Sequence, residues 1–567
     1  MVKAFSKLII NERDRAYSDG KRQKYLRLRN EVVTHTKFLK QSYMASIVAS
    51  RDSKKIWNEI KSLGGCVKNN DKIFPCTANE MANFFSSICS TSSSTTHSST
   101  SFESLPESDL QTSVSEVARL LKKTKKKSSG PDGIPFWIFR EFSLLLAPAI
   151  TFIFNESLRL GRVPECFKES LIAPVPKCSR PSLPSHYRPI SLLPILSKCL
   201  ERIVIRHWVL PSVQRRLSET QFAYMPGRGA AVAMTLMYDQ ITRFLDSHSG
   251  AVRILTIDFE KAFDKLPHDR IMESCITFNL PRQAALWISD FLVDRKQRVR
   301  VNMSLSSWYP SRQGVPQGSL LGPLLFCMVM DDFKPIQSSS SVIMYADDLT
   351  ILHFVRSAED DRQQSEWDNV VSWSQTVGLP INFSKCANMN VITKKNLPLV
   401  PVLTHNGHLQ TASVIKILGV YLSADLKWNE HVNRMTKKAS QRLYILRSLR
   451  RAGCTFPILR SAYFAFVRSC LLYCCPVYVN IPAYLKRKIS QVERRASKIC
   501  SAQIEPSYDS AVESVCLALF ENIVKDTGHP LRKLFRQRQR SLRNDCELQA
   551  PSGKTRRFIK SFIQFCK

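Results

Sequence analysis

The stretch Ser341-Val-Ile-Met-Tyr-Ala-Asp-Asp-Leu-Thr-Ile-Leu-His353 sets two adjacent carboxylates, Asp347 and Asp348, inside an apolar, β-prone run. Apolar flanks favour burial and two neighbouring anions oppose it, so a neutralising cation is the simplest resolution. Such a pair invites a divalent metal and, through it, phosphate chemistry. Alone, an Asp-Asp dipeptide is more often a solvated turn, and the rest of the chain has to decide.

A second carboxylate stands in Arg253-Ile-Leu-Thr-Ile-Asp-Phe-Glu-Lys-Ala-Phe-Asp-Lys-Leu-Pro-His268. The spacing predicts a strand over Ile254 to Ile257 that ends at Asp258 and turns into a short helix, for which Asp258 is alternatively the N-cap. If this strand neighbours the first, Asp258 and Asp347 meet at one sheet end. They would then hold two divalent ions roughly 3.5–4 Å apart, the arrangement for in-line phosphoryl transfer. In Arg312-Gln-Gly-Val-Pro-Gln-Gly-Ser-Leu-Leu-Gly-Pro-Leu-Leu-Phe326 a Gly/Pro turn leads into an apolar helix. Gly314 and Gly318 permit close backbone approach there, and Gln317 projects a hydrogen-bonding side chain. That turn would hold the face of a nucleotide or simply cap the helix.

The chain has 567 residues, enough for two to four domains. Lys and Arg outnumber Asp and Glu by 82 to 47, a net charge of +35, which favours a polyanionic partner. The 17 cysteines show no framework and no paired Cys-x2-Cys or His spacing, which argues against a zinc finger and for a reducing, intracellular location, nucleus or cytoplasm. Cys470, Cys474 and Cys475 lie in an apolar, aromatic segment and are expected to be buried thiols. The start of the chain has no signal-peptide core, and the longest apolar stretch, Leu144 to Phe154, is interrupted by Pro148 and too short to span a bilayer, so no membrane partner is expected.

Along the chain, residues 1–64 are basic and helix-prone, and residues 86–108 form a Ser/Thr run too poor in large apolar groups to pack. From about 130 to 425 helical and β-prone stretches alternate between Gly/Pro turns, the pattern of an α+β body. Beyond His431 the chain is helical and carries 27 Lys and Arg against eight Asp and Glu, more than half of the whole excess.

The motifs Asp258-Phe-Glu-Lys-Ala-Phe-Asp264, Gly314-Val-Pro-Gln-Gly-Ser319 and Tyr345-Ala-Asp-Asp348, in this order and spacing, closely resemble those of reverse transcriptases, and within them the non-LTR (LINE-type) retrotransposon group. Ala173-Pro-Val-Pro-Lys177 with His186-Tyr-Arg-Pro-Ile-Ser-Leu-Leu193 resembles the fingers motifs. Gly378-Leu-Pro-Ile-Asn-Phe-Ser-Lys385 is similar to the motif with a lysine near the incoming triphosphate, and Ile417-Leu-Gly-Val-Tyr-Leu422 to the primer-grip strand. Ser128-Ser-Gly-Pro-Asp-Gly-Ile134 and Gln221-Phe-Ala-Tyr-Met-Pro-Gly-Arg228 also fit the group, and the resemblance covers roughly 115 to 480.

The resemblance implies a right-hand polymerase with fingers, a ferredoxin-like palm, a helical thumb and basic helical extensions. The implied division is a basic helical region at 1–85, a Ser/Thr-rich linker at 86–113, an extension of the fingers at 114–156, the reverse transcriptase domain at 157–422, the thumb at 423–500 and a basic extension at 501–567. Asp258, Asp347 and Asp348 would be the catalytic, metal-binding set, holding two Mg2+ ions, with Mn2+ able to replace them. Main-chain oxygen near Phe259 would complete the shell. Phe263 would be an aromatic gate against the ribose 2′-hydroxyl. Gln317 and Gly318 would contact the nucleotide, Lys177 and Arg188 the triphosphate oxygens, and Lys385 the leaving pyrophosphate. Leu418 and Gly419 would belong to the primer grip. RNA template, DNA primer or target and dNTPs are the implied partners. Phe263 argues against an RNA-dependent RNA polymerase. With no room for an upstream endonuclease in 1–64, and neither an RNase H set nor a terminal zinc knuckle, the chain is expected to be a fragment of a longer open reading frame. The alternative is a catalytically silent, nucleic-acid-binding remnant of a decayed element.

Overall fold

The computed structural model describes residues 2–49, 58, 74, 76–89, 102–394, 397–405, 407–537 and 548–566. The chain divides into two units. One comprises residues 72–418 with 528–531, and the other residues 1–71, 419–527 and 532–567.

The first unit holds two sheets. Strands β1 (Glu169–Pro176) and β2 (Tyr187–Leu192) pair antiparallel, and β1 pairs in parallel with a later strand, β4 (Arg295–Val301). The short β5 (Ser304–Leu305) and β6 (Tyr309–Ser311) close that sheet on β4. The second sheet is built from β3 (Ala251–Ile257), β7 (Ser340–Tyr345), β8 (Asp348–Val355) and β9 (Ala387–Ile392), in the order β7-β8-β3-β9 with all neighbours antiparallel. Counted as strands one to four, that order is 4-1-3-2 from the β9 edge. The apolar helix Gly322–Met330 precedes β7 and helix Gln363–Val377 follows β8, which gives the βαββαβ course of a ferredoxin-like unit. β3 is buried along almost its whole length, as a central strand covered on both faces must be.

Helix Ala78–Ile88 crosses the expected boundary at residue 85. A capping box fixes its start: the Thr77 hydroxyl accepts from Glu80 N, and the Glu80 carboxylate accepts from Thr77 N. Its Met81, Phe85 and Ile88 pack on Ile172, Val299 and Val301 of the first sheet, so it serves this unit and not the N-terminal helices. Most of the Ser/Thr run, residues 90–101, lies outside the described residues.

Helix Ser143–Leu160 outruns the apolar stretch expected from sequence and continues through Pro148. Proline leaves the Leu144 carbonyl without its helical donor, and Leu144 is 78% exposed, where water can serve that carbonyl. Among the described residues this is the one helix long and apolar enough to cross a membrane by length and composition. Its Ala147, Ile150, Phe154 and Leu158 enter the protein core.

In the other unit the helices Val2–Ser18 and Arg22–Ala49 form a hairpin turned by Gly20, with Ile9, Ala16 and Leu28 between them. The later helices Asn429–Arg451 and Ala483–Cys500 pack together. Buried Arg468 holds that group. It pairs with Glu493 at 2.7 Å and donates to the Tyr463 hydroxyl and to the carbonyls of Pro506 and Ser507. Grouping the first 71 residues with the C-terminal helices departs from the linear division expected from sequence, because that packing is long-range. Cys474 and Cys475 are buried thiols here, whereas Cys470 is half-buried and its sulfur accepts from Arg442.

Candidate active site

β3 and β8 are in register from Ala251↔Val355 to Ile257↔Leu349, so Asp258, the next residue, comes to the sheet end where β8 begins at Asp348. Tyr345 pairs with Asp348, and Ala346-Asp347 is a two-residue turn whose first member is left-handed at φ +56°. Three carboxylates from two segments 89 residues apart thus share one sheet end. Asp258 is not a helix N-cap: the short helix Ala262–Lys265 starts after Lys261.

Their electrostatics follow from this placement. Burial raises the Asp347 carboxyl above its ordinary range, and the Asp258 charge adds to it. Asp348 is pushed up to about 6, first by desolvation and then by Asp347 and Asp258. Asp258 is instead engaged by Lys385, whose Nζ lies 2.9 Å from its Oδ2. Among the described residues no three His, Cys, Asp or Glu side chains converge into a closed metal cage, and the Asp258 carboxylate is paired with Lys385. The Gly378–Lys385 segment is seated by backbone bonds, Glu260 N to Pro380 O at 2.8 Å and Asn382 N to Asp258 O at 2.7 Å.

Two more cations come from the other sheet. Arg188 lies opposite Val175, and Lys177 follows the last pair of that hairpin, its Nζ donating to Ser185 O at 2.9 Å. Arg188 and Lys385 both oppose the rise at Asp347, and Lys177 is depressed first by burial and then by the charges of Arg188 and Lys385, so the three cations and the carboxylates share one neighbourhood.

The Phe263 ring stacks on Phe326 at 4.7 Å and is half-buried against the core. Gln317 is anchored more tightly than the sequence suggests. Its side-chain amide donates to both oxygens of Asp264 at 2.7 Å, and its carbonyl accepts from Ser191 N at 2.9 Å. Val315 N donates to Phe263 O, and Gly314 N to Leu266 O. A Cβ on Gly314 (φ +74°) would stand 2.5 Å from the Phe263 and Asp264 carbonyls, and one on Gly318 (φ +145°) 2.4 Å from Ser191 O, so both positions require glycine. Leu418 and Gly419, both left-handed, form the turn at which one unit ends and the other begins.

Sequence reasoning missed Asp264 and Glu201. Asp264 is pushed up to about 6 by burial, which Gln317 and the charges of Lys261 and Lys177 oppose. Its presence within the quoted motif was the only signal. Glu201, fully buried on helix Ile195–Val204, accepts from the N–H groups of Leu320 (2.6 Å) and Leu321 (3.0 Å) at the start of the helix after the Gly/Pro turn. Buried Arg295 is its nearby counter-charge. Nothing local in the sequence marks it. Glu201→Leu would strand both amides and the guanidinium, and a loss of roughly 2–4 kcal/mol is expected in denaturant unfolding. Glu201→Gln, which keeps an acceptor, should lose less.

Residues 175–422 match the reverse transcriptase (RNA-dependent DNA polymerase) family. The match places a reverse transcriptase domain within the chain. The probable RNA-directed DNA polymerase from transposon X-element of Drosophila melanogaster is 28% identical over 346 residues, 59% of this chain and 38% of its own. The RNA-directed DNA polymerase from mobile element jockey of the same organism is 28% identical over 385 residues, 64% of this chain and 41% of its own. The chain therefore spans less than half the length of these curated relatives. Among solved structures, apo telomerase from Candida tropicalis aligns with 74% of this chain and 84% of its own at 10% identity and a TM-score of 0.36. Within the matched residues, the β3/β7–β9 sheet has the ferredoxin-like course expected from the motifs.

Proposed function

We propose that this chain is an RNA-directed DNA polymerase of a non-LTR retrotransposon, adding dNTPs to a primer 3′-hydroxyl on an RNA template. The observation that carries this reading is the meeting of Asp258, Asp347 and Asp348 at one palm-sheet end inside a reverse transcriptase domain. Asp347 is desolvated and repelled by Asp258, and Asp348 is desolvated and repelled by Asp347 and Asp258, an arrangement that a cation relieves. Magnesium suits it, since it takes one or two carboxylates and leaves its other positions to water and phosphate. Asp258 would join as Lys385 passes from it to the triphosphate. When bound, two such ions supply a more acidic primer hydroxyl and charge stabilisation at the leaving pyrophosphate.

The protein's own groups do the rest. Lys177 and Arg188 bind triphosphate oxygens, Arg188 through its fork and Lys177 as a point charge. Lys385, released from Asp258, gives a proton to the leaving pyrophosphate. Gln317 and Gly318 line the nucleotide's sugar face, and Phe263 excludes a 2′-hydroxyl. The turn at Leu418 and Gly419 seats the primer, and the basic helices beyond it follow phosphates of the template–primer duplex, which makes binding steeply salt-dependent.

Metal binding requires the ionised carboxylates, so it should release protons and weaken as pH falls through about 6, the value for Asp348. The metal-free contribution has the opposite sign. A carboxylate raised by folding favours the native state below its unfolded value, and that contribution is lost as pH rises through the folded one. Mg2+ should therefore raise Tm more at pH 7.5 than at pH 5.5, as thermal unfolding with and without the ion would show. An equal shift at both pH values, or one that survives in Asp347→Asn/Asp348→Asn, contradicts this assignment.

A further inference from the structure

Gln221 has no part in the chemistry above, yet its carboxamide ties two turns together. The side chain is fully buried, and its Oε1 accepts from Ala223 N at 3.0 Å and from Ala346 N at 3.2 Å. Its Nε2 has no partner among the described residues. A buried amide left half unsatisfied is unfavourable, so the favourable work of this side chain is done by its oxygen. Ala346 is the left-handed residue of the Ala346-Asp347 turn, a conformation that a residue with a Cβ adopts only when its surroundings impose it.

The surroundings do so here. Gln221 bridges to Met344 at the end of β7, with Phe222 N donating to Met344 O at 2.9 Å and Met344 N to Thr220 O at 2.8 Å. Ala346 packs in a small apolar cluster with Ala223 and Cys327. The segment is itself anchored. Arg228 donates to the carbonyls of Ser218 and Gln221, at 2.9 and 2.7 Å, and the Asp331 carboxylate accepts from Ser218 N. One acceptor atom, on a segment braced from the end of helix Gly322–Met330, thus holds the backbone that aims Asp347.

We propose that Gln221 is a positioning residue of the polymerase site, fixing Ala346 in its left-handed conformation so that Asp347 and Asp348 are aimed together. The assignment rests on the polymerase reading for its kinetic consequence and on geometry alone for its structural one. The test uses the full chain and the variant Gln221→Met, which fills the space without the acceptor. Primer extension should lose about 10- to 100-fold in kcat with the dNTP KM within about threefold, since a displaced reacting group costs rate more than binding. Amide hydrogen exchange over 342–350 should accelerate while that over 251–257 does not.

Adding Ala346→Gly to Gln221→Met should recover kcat to within about fivefold of wild type, because glycine holds φ +56° without help. If Gln221→Met does not fold, Gln221→Asn, a methylene too short to reach both amides, carries the same exchange and rescue measurements. Unchanged exchange over 342–350 overturns the proposal, as does a loss of rate that Ala346→Gly leaves untouched. If the wild type extends no primer, the polymerase reading fails and the exchange comparison still decides the role of Gln221.

Discussion

Replacing Asp347 and Asp348 together by asparagine should abolish primer extension, a loss of at least about 10^3-fold, since each group that stabilises charge in such a site is typically worth 10^2 to 10^3. The fold should survive the change. Asp347 is raised by desolvation and the Asp258 charge, and Asp348 by desolvation and the charges of Asp347 and Asp258, so asparagine relieves repulsion at the β7–β8 hairpin and fills nearly the same volume. The metal-free variant should therefore unfold at or above the wild-type temperature. That combination, dead but no less stable, separates loss of a charged site from loss of structure. Steady-state extension beside thermal unfolding measures it, and residual extension within tenfold of wild type would sink the assignment of these two residues. Asp258→Asn should follow the same direction and also release Lys385, whose partner at 2.9 Å is Asp258.

The second large effect is expected at Phe263. Its ring is half-buried, stacked on Phe326 at 4.7 Å, and tied through its own carbonyl to Val315 N of the glycine turn. In the gating role proposed for it, a ring so held would not swing aside for a ribose 2′-hydroxyl, and discrimination by such a clash is the hard-to-evade kind. Phe263→Val should lower dNTP-over-NTP selectivity by roughly 10- to 100-fold, mostly by raising kcat/KM for the ribonucleotide. Competition assays on one template with each triphosphate measure the ratio. Selectivity unchanged in a folded Phe263→Val protein would leave Phe263 a core aromatic alone. The variant should also lose about 1–3 kcal/mol of stability from the missing half of the stacked pair.

How much of this was legible beforehand follows from range. The Asp347-Asp348 hairpin, the strand ending at Asp258 and the glycine turn are local patterns, and period and turn chemistry mark them within a dozen residues. Gly314 and Gly318 stood out for the right reason, close backbone approach. What the sequence hid are contacts between distant segments. Gln317 reads as a free side chain until Asp264, 53 residues away, is seen to take its amide. Glu201 stands on an apolar helix face, 119 residues from the amide it caps, and no periodicity announces such a partner. Residues 1–64 read as a basic, helix-prone region at the start of the chain, yet helices Val2–Ser18 and Arg22–Ala49 group with the helices after Gly419. Carboxylates that meet at one sheet end are thus readable from sequence, whereas the residues that brace them are not.

The central claim is tested most directly by giving the purified chain a labelled DNA primer annealed to an RNA template, four dNTPs and Mg2+. The account predicts extension to the template end that stops when the ion is chelated. A folded protein that binds the duplex and adds no nucleotide, or that adds only ribonucleotides, would contradict it.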